Sequence, residues 1–196
     1  MLQYYAIFKP FGMISQFTKE GNFLTLADTG FKFPGDVYPV GRLDADSEGL
    51  LLLTNDKRVN AKLLLPSNKH MRKYLVQVEG DITDEALGIL EKGIVLNDKG
   101  SVYKSLPAEA KKVIKTDIPE REPPIRFRKN IPTSWLEISL QEGKNRQIRK
   151  MTAAAGFPTL RLIRLEIERI RLEKMEIGWV KEIKKDDFYR DLNINY

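Results

Sequence analysis

Apolar residues along the chain follow two periods. Residues 4–8 are aromatic or aliphatic apart from their flanks and read as a first strand, broken by Pro10 and Gly12. Leu50, Leu51, Leu52 and Leu53 run without interruption into Thr54, Asn55 and Asp56, the pattern of a short strand buried on both faces and stopped by turn residues. Residues 73–79 alternate, with Tyr74, Val76 and Val78 on one face, and residues 134–140 alternate with Trp135 opposite Leu136. Leu160, Leu162, Leu165 and Ile167 continue the alternation against Arg164, Glu166 and Glu168 to residue 172, and residues 179–183 carry it on. Val95, Leu96, a Lys-rich turn at 97–105 and residues 108–115 suggest further strands.

Helical spacing appears in three places. Residues 56–65 follow candidate caps, carry Val59, Lys62 and Leu63 on helical spacing, and stop at Pro66. Thr83 caps residues 84–92, which open with two acids and stop at Gly93. Residues 145–155 end Ala-rich, with Gly156 and Pro158 beyond. Residues 18–35 and 116–132 show no sustained period; the first is expected to be a loop or a short hairpin and the second, holding four prolines, a loop. The charged segment 184–196 is expected to fray as a tail. With no internal repeat, the expectation is one α+β domain over residues 1–183, built on a mixed, mainly antiparallel sheet with flanking helices.

Composition narrows the chemistry. The 196 residues contain no cysteine, which excludes disulfides, thiolate nucleophiles and zinc–thiolate sites and fits a reducing compartment. His70 is the single histidine; flanked by Lys69, Met71 and Arg72, it reads as solvated or RNA-facing surface. A formal charge of +6 favours a polyanionic partner. No basic segment leads a long apolar core at the N-terminus, and no apolar run approaches the ~20 residues that cross a bilayer. A soluble, cytoplasmic, monomeric protein without membrane contact is expected.

Two stretches concentrate reactive groups. Arg42, Asp44, Asp46 and Glu48 lie between Gly41 and Gly49, directly ahead of the leucine run, where a buried strand can hold a charged loop still. Asp44, Asp46, Glu48 and Gly49 match four positions of an EF-hand loop, but Asn55 stands where the bidentate Glu belongs and leucines fill the ligand-bearing middle, so no calcium loop is implied. The alternative is a solvated acidic turn. In the second stretch Arg146, Arg149 and Lys150 share a helix face, with Lys144 nearby. Cations at a helix start cost ~0.3–1 kcal/mol each, which makes sense if an anion meets them, the alternative being that they splay into water.

KPFG at 9–12, GRLDADSEGLLLLTND at 41–56, RKY at 72–74 and EGKNRQIRKM at 142–151 together resemble the pseudouridine synthases. The branch is the one that modifies bacterial ribosomal RNA, that of the small-subunit enzyme and large-subunit enzymes B, E and F. Most members begin with an S4 RNA-binding domain; this sequence starts at the catalytic domain, as the E type does, and carries Ser47 where Thr is common. The resemblance implies a two-lobed fold with a central RNA-binding cleft and conversion of uridine to pseudouridine in ribosomal RNA, of the 23S large-subunit kind, with no cofactor and no metal. By motif position it makes Asp44 the catalytic carboxylate, Arg149 its guanidinium partner and Tyr74 the residue stacked on uracil. Ile148 would pack against the base, and Arg42 would fill the place of the extruded nucleotide. Lys9, Lys73, Lys144, Arg146 and Lys150 become candidate RNA contacts, while Asp46 and Glu48 structure the loop. Two other classes share these residues: a non-catalytic rRNA-binding or ribosome-assembly module using the basic helix alone, and a carbohydrate hydrolase pairing Asp44 with Glu48.

Overall fold

The leucine run is the centre of a strand that begins earlier than its apolar pattern. In the computed structural model, which describes residues 1–195 apart from 99, 127 and 173, two compact units form: Met1–His70 with Ile163–Tyr196, and Met71–Leu162. Lys99 of the expected turn, Phe127 of the expected loop, Glu173, and Tyr196 of the expected tail lie outside the described residues.

The first part of the chain contributes β1 (Tyr4–Lys9), β2 (Tyr38–Pro39), β3 (Glu48–Thr54) and α1 (Lys57–Leu64). From residue 71 come β4 (Arg72–Glu79), α2 (Asp84–Lys92), β5 (Val95–Asp98), β6 (Ser101–Lys104), β7 (Glu109–Val113), β8 (Thr133–Leu140) and α3 (Gln147–Ala154). The chain continues with β9 (Thr159–Ile167), β10 (Ile170–Arg171), β11 (Val180–Glu182) and α4 (Lys185–Asp191).

In the first unit β3 lies between two neighbours. It pairs antiparallel with β1, from Tyr4 opposite Thr54 to Lys9 opposite Gly49, and parallel with β9 at Glu48–Ile163 and Gly49–Arg164. β11 pairs with the other edge of β1, and β2 and β10 add short antiparallel ladders to β3 and β9. Leu50, Leu51, Leu52 and Leu53 are fully buried, as a strand covered on both faces requires. Each contributes on the order of 1.5–3 kcal/mol by leaving water.

Asp56 is the N-cap of α1, accepting from the Arg58 amide at 3.2 Å. The same carboxylate accepts from Tyr4 Oη at 2.8 Å, Tyr189 Oη at 2.6 Å and Arg58 Nε at 2.9 Å. This network corrects the expectation of a fraying tail. Residues 185–191 form α4, and Phe188, Tyr189 and Leu192 are buried because each apolar body finds the core while the Tyr189 hydroxyl finds Asp56. His70 is also inside: its ring nitrogens face Glu168 Oε1 and the Lys62 carbonyl, both at 3.1 Å, so it is not the solvated histidine expected from its basic neighbours. The unpatterned segment 18–35 is ordered by aromatic contacts, Phe33 lying 5.4 Å from both Tyr5 and Phe17 and 4.7 Å from Phe31.

The second unit is antiparallel among its own pairs. β8 pairs with β4 from Arg72–Leu140 to Glu79–Thr133 and, on its other edge, with β7; β5 and β6 form a separate hairpin. Its core joins Val76 and Val78 of β4, Leu136 and Ile138 of β8, Leu87 and Leu90 of α2, and Ile148 and Met151 of α3. Thr83 caps α2 as predicted, accepting from the Ala86 amide. Residues 114–132 contain no helix or strand among the described residues.

Candidate active site

The acidic loop of the first unit, residues 40–47, is held from below. Val40 donates to the Leu52 carbonyl at 2.8 Å, which fixes one end of the loop to the buried strand. Ser15 Oγ accepts from the Leu43 amide at 3.0 Å and donates to the Leu43 carbonyl at 2.8 Å. Gly12, in a left-handed conformation at φ +79°, donates its amide to the Ala45 carbonyl at 2.8 Å. Asp44 therefore sits between two pinned residues, and the Ser47 amide closes a turn onto the Asp44 carbonyl at 3.0 Å. Asp44 is half-buried, Arg42 is exposed, and Ser47 and Glu48 are buried.

Beneath the loop lies Lys9. Its side chain is fully buried and Nζ donates to the carbonyls of Pro10, at 3.0 Å, and Met13. Burial pushes the ammonium down to about 8, while the charges of Glu48, Asp46 and Asp44 hold it up and Arg164 presses it further down. The expectation that Lys9 reaches RNA phosphate is thereby corrected: its nitrogen is spent on two carbonyls and its positive field on three carboxylates. Glu48, buried in that field, suits a structural ion better than one half of a hydrolytic carboxylate pair.

Gly49 is obligatory for a reason invisible in the motif. At φ +105°, a Cβ on it would lie 2.3 Å from the Arg164 carbonyl oxygen and 2.5 Å from the Arg164 nitrogen, so β3 and β9 close only over a glycine. Arg164 itself is buried and donates from Nε to the Leu50 carbonyl at 2.7 Å. Ser15 and Arg164 are the residues sequence reasoning missed. Their partners lie 28 and 114 positions away, and neither carries a local signal beyond an ordinary strand or loop polarity.

The second unit carries the remaining candidates. Tyr74 on β4, opposite Ile138, is largely buried in the same core cluster as Ile148 of α3, and Lys73 is half-buried. Helix α3 starts later than predicted because Arg146 occupies the N-cap in a left-handed conformation, φ +51°, with no capping side chain of its own. Gln147, the first helical residue, ties the helix start to the turn before it: its Oε1 accepts from the Lys144 amide at 3.1 Å and its Nε2 donates to Glu142. Lys144 places Nζ 3.5 Å from the centre of the Tyr103 ring on β6, and Lys150 pairs with Asp98 of β5 at 2.8 Å. The β5–β6 hairpin thus neutralises part of the basic helix. Arg146 is exposed and Arg149 half-buried. The structure brings Asp44 together with Lys9 in one unit, and gathers Tyr74 and Ile148 in the core cluster of the other. Among the described residues no group of three or more His, Asp or Glu is arranged to hold a metal ion, and no helix is long and apolar enough to cross a membrane.

Comparison with known proteins gives consistent matches. The profile of the RNA pseudouridylate synthase family fits residues 3–154. The chain is similar to ribosomal large subunit pseudouridine synthase E of Vibrio parahaemolyticus, 47% identical over 176 residues that cover 90% of this chain and 71% of that protein. It is 44% identical to the synthase E of Xanthomonas axonopodis pv. citri over 170 residues, 85% of this chain and 86% of that one. Ribosomal large subunit pseudouridine synthase B of Bacillus subtilis is 33% identical over 187 residues, 95% of this chain and 70% of that one. Among solved structures, a pseudouridylate synthase superposes with a TM-score of 0.77 at 22% identity, covering 97% of this chain and 74% of that one, which is a likeness of fold.

Proposed function

The chain belongs to the RNA pseudouridylate synthase family, and on that premise we propose that Asp44 is the carboxylate with which it isomerises uridine in 23S ribosomal RNA. The protein is an enzyme that converts uridine to pseudouridine in ribosomal RNA. The reaction breaks the bond between uracil N1 and ribose C1′ and forms one between C5 and C1′. C5 loses a proton and N1 gains one, so substrate and product are isomers and no atoms or electrons pass to a cofactor.

The observation that carries the assignment of Asp44 is its setting. The residue before it is pinned through both backbone groups by Ser15, the residue after it by Gly12, and a buried lysine places positive charge beneath it. A fixed carboxylate at the surface of its unit serves either route to the product: attack on C1′, or removal of the C2′ proton to give a glycal. Tyr74 is the proposed aromatic face for the uracil, Arg149 a proposed catalytic cation, and Arg42, exposed next to the pinned segment, the side chain that takes the space of the extruded base. Arg146, Lys73, Lys144 and Lys150 are proposed backbone contacts, the last two after exchanging Tyr103 and Asp98 for phosphate.

The test is conversion of uridine in 23S rRNA by wild type and Asp44→Ala, read by pseudouridine mapping, with RNA binding measured in parallel. Loss of conversion with binding retained is expected. Conversion by the alanine variant would remove the assignment.

A further inference from the structure

The charge of this protein is placed unevenly. Residues 57–78 contain six basic residues, Lys57, Arg58, Lys62, Lys69, Arg72 and Lys73, and no Asp or Glu. Residues 143–165 carry six more, Lys144, Arg146, Arg149, Lys150, Arg161 and Arg164, again with no Asp or Glu, and hold the α3 cations already proposed as RNA contacts. A run of cations with no acid among them is an electrostatic footprint for a polyanion, and the first of these two runs takes no part in the site above apart from Lys73 and Tyr74.

In the first unit this stretch forms α1 and the turn after it. The helix buries Val59 and Leu63 and turns outward Lys57, Arg58, Ala61 and Leu64. Leu64 and Leu65 are 45% and 53% exposed, and Lys69 is exposed with its backbone in the left-handed region at φ +48°. The acids that approach are already committed: Asp56 is buried against Arg58, Tyr4 and Tyr189, and Glu168 faces buried His70. Among the described residues no carboxylate pairs with Lys57 or Lys69.

We propose that the outer face of α1 and the following turn, with Lys57 and Lys69 as its exposed cations, docks the phosphate backbone of the substrate RNA at nucleotides other than the reacting uridine. The proposal rests on the RNA-modifying function above and adds a second contact region to it. Extruding a base costs a few kcal/mol, and contacts outside the reacting nucleotide are where that cost is offset. A lipid surface would also accept cations beside two leucines. However, an eight-residue helix that buries Val59 and Leu63 and exposes only Ala61 and Leu64 among its apolar residues leaves too little free apolar surface to enter a bilayer.

The experiment is a salt titration of binding to 23S rRNA fragments by wild type, Lys57→Gln/Lys69→Asn and, as a control cation elsewhere in the same unit, Lys181→Gln. Asn suits the left-handed position of Lys69. The slope of log affinity against log salt should become shallower by about 1.4–1.8 in the double variant, at about 0.7–0.9 for each phosphate no longer neutralised, and stay unchanged in the control. Lys57→Glu alone keeps a side chain favourable at a helix start, so it guards against a folding defect and should flatten the slope as well. An unchanged slope in both α1 variants, an equal loss in the control, or wild-type binding to phosphatidylserine vesicles that the double variant abolishes while RNA affinity stays the same would each overturn the proposal. Pseudouridine formation by wild type on the same fragments separates the two claims: its absence sinks the proposed activity, whereas its presence with unchanged slopes sinks only the docking surface.

Discussion

Ser15 Oγ and the backbone of Leu43 exchange two hydrogen bonds, at 3.0 Å inward and 2.8 Å outward, one residue before the proposed catalytic carboxylate. Ser15→Ala leaves a buried amide and a buried carbonyl without that partner, a cost of ~1–3 kcal/mol. With the loop freed, kcat should fall by about ten- to a hundredfold, since displacement of a reacting group by ~1 Å has that effect. KM should change little and Ser15→Thr should recover most of the loss. A variant with a lower melting temperature but wild-type kcat would show that Ser15 is structural only.

Lys9 makes stability depend on alkaline pH. Its folded-state value, about 8, lies below the ordinary lysine value of 10.5, so between these limits the unfolded chain binds more protons than the folded one. Stability from this group therefore rises as pH increases from 8 towards 10.5, by up to roughly 3 kcal/mol. Urea unfolding at pH 7.5 and at pH 10 should show that increment in wild type and lose it in Lys9→Met. Equal pH dependence of the two proteins would place the ammonium in solvent.

Asp56 acts in acid. Arg58, then Tyr189 and Tyr4, hold its carboxyl well below the usual carboxylate range by hydrogen bonds. A depressed folded-state value gives stability that is fully present above the unfolded value, about 3.9, and is lost as pH falls towards the folded one. Thermal melts below pH 4 should fall more steeply for wild type than for Asp56→Asn, and the variant should already be less stable at neutral pH. Parallel curves would mean that the network does not discriminate the ionised form.

Gly49→Ala should be among the most damaging single changes in the first unit. The added methyl would meet the backbone of Arg164 at 2.3 Å, and backbone cannot yield as a side chain does. A loss of about 3 kcal/mol or more is expected, or insoluble expression. A soluble variant of wild-type stability would mean that β3 and β9 are not as close as described.

Elements with a strong local period were legible: β3 from its leucines, β4 and β8 from alternation, and α2 from Thr83 and Gly93 at its ends. The loop around Asp44 was legible as chemistry because charges and glycines crowd it. What remained hidden depends on long-range contacts. Helix α4 reads as a charged tail because Phe188, Tyr189 and Leu192 are thinly spaced among Lys and Asp, and only Asp56, 133 residues away, gives Tyr189 its place. Lys9 and His70 looked like surface cations because composition reports neighbours in sequence, whereas their burial is set by carbonyls and carboxylates brought in by folding.

The division of the chain also sets an order of assembly during synthesis. Residues 71–162 are contiguous and have their partners at hand as soon as they leave the ribosome, whereas β1 and β3 must wait for β11 and β9 from the last quarter of the chain. The segment bearing Asp44 is translated early yet becomes rigid late, so a nascent chain should acquire a folded second unit well before it can bear a competent carboxylate.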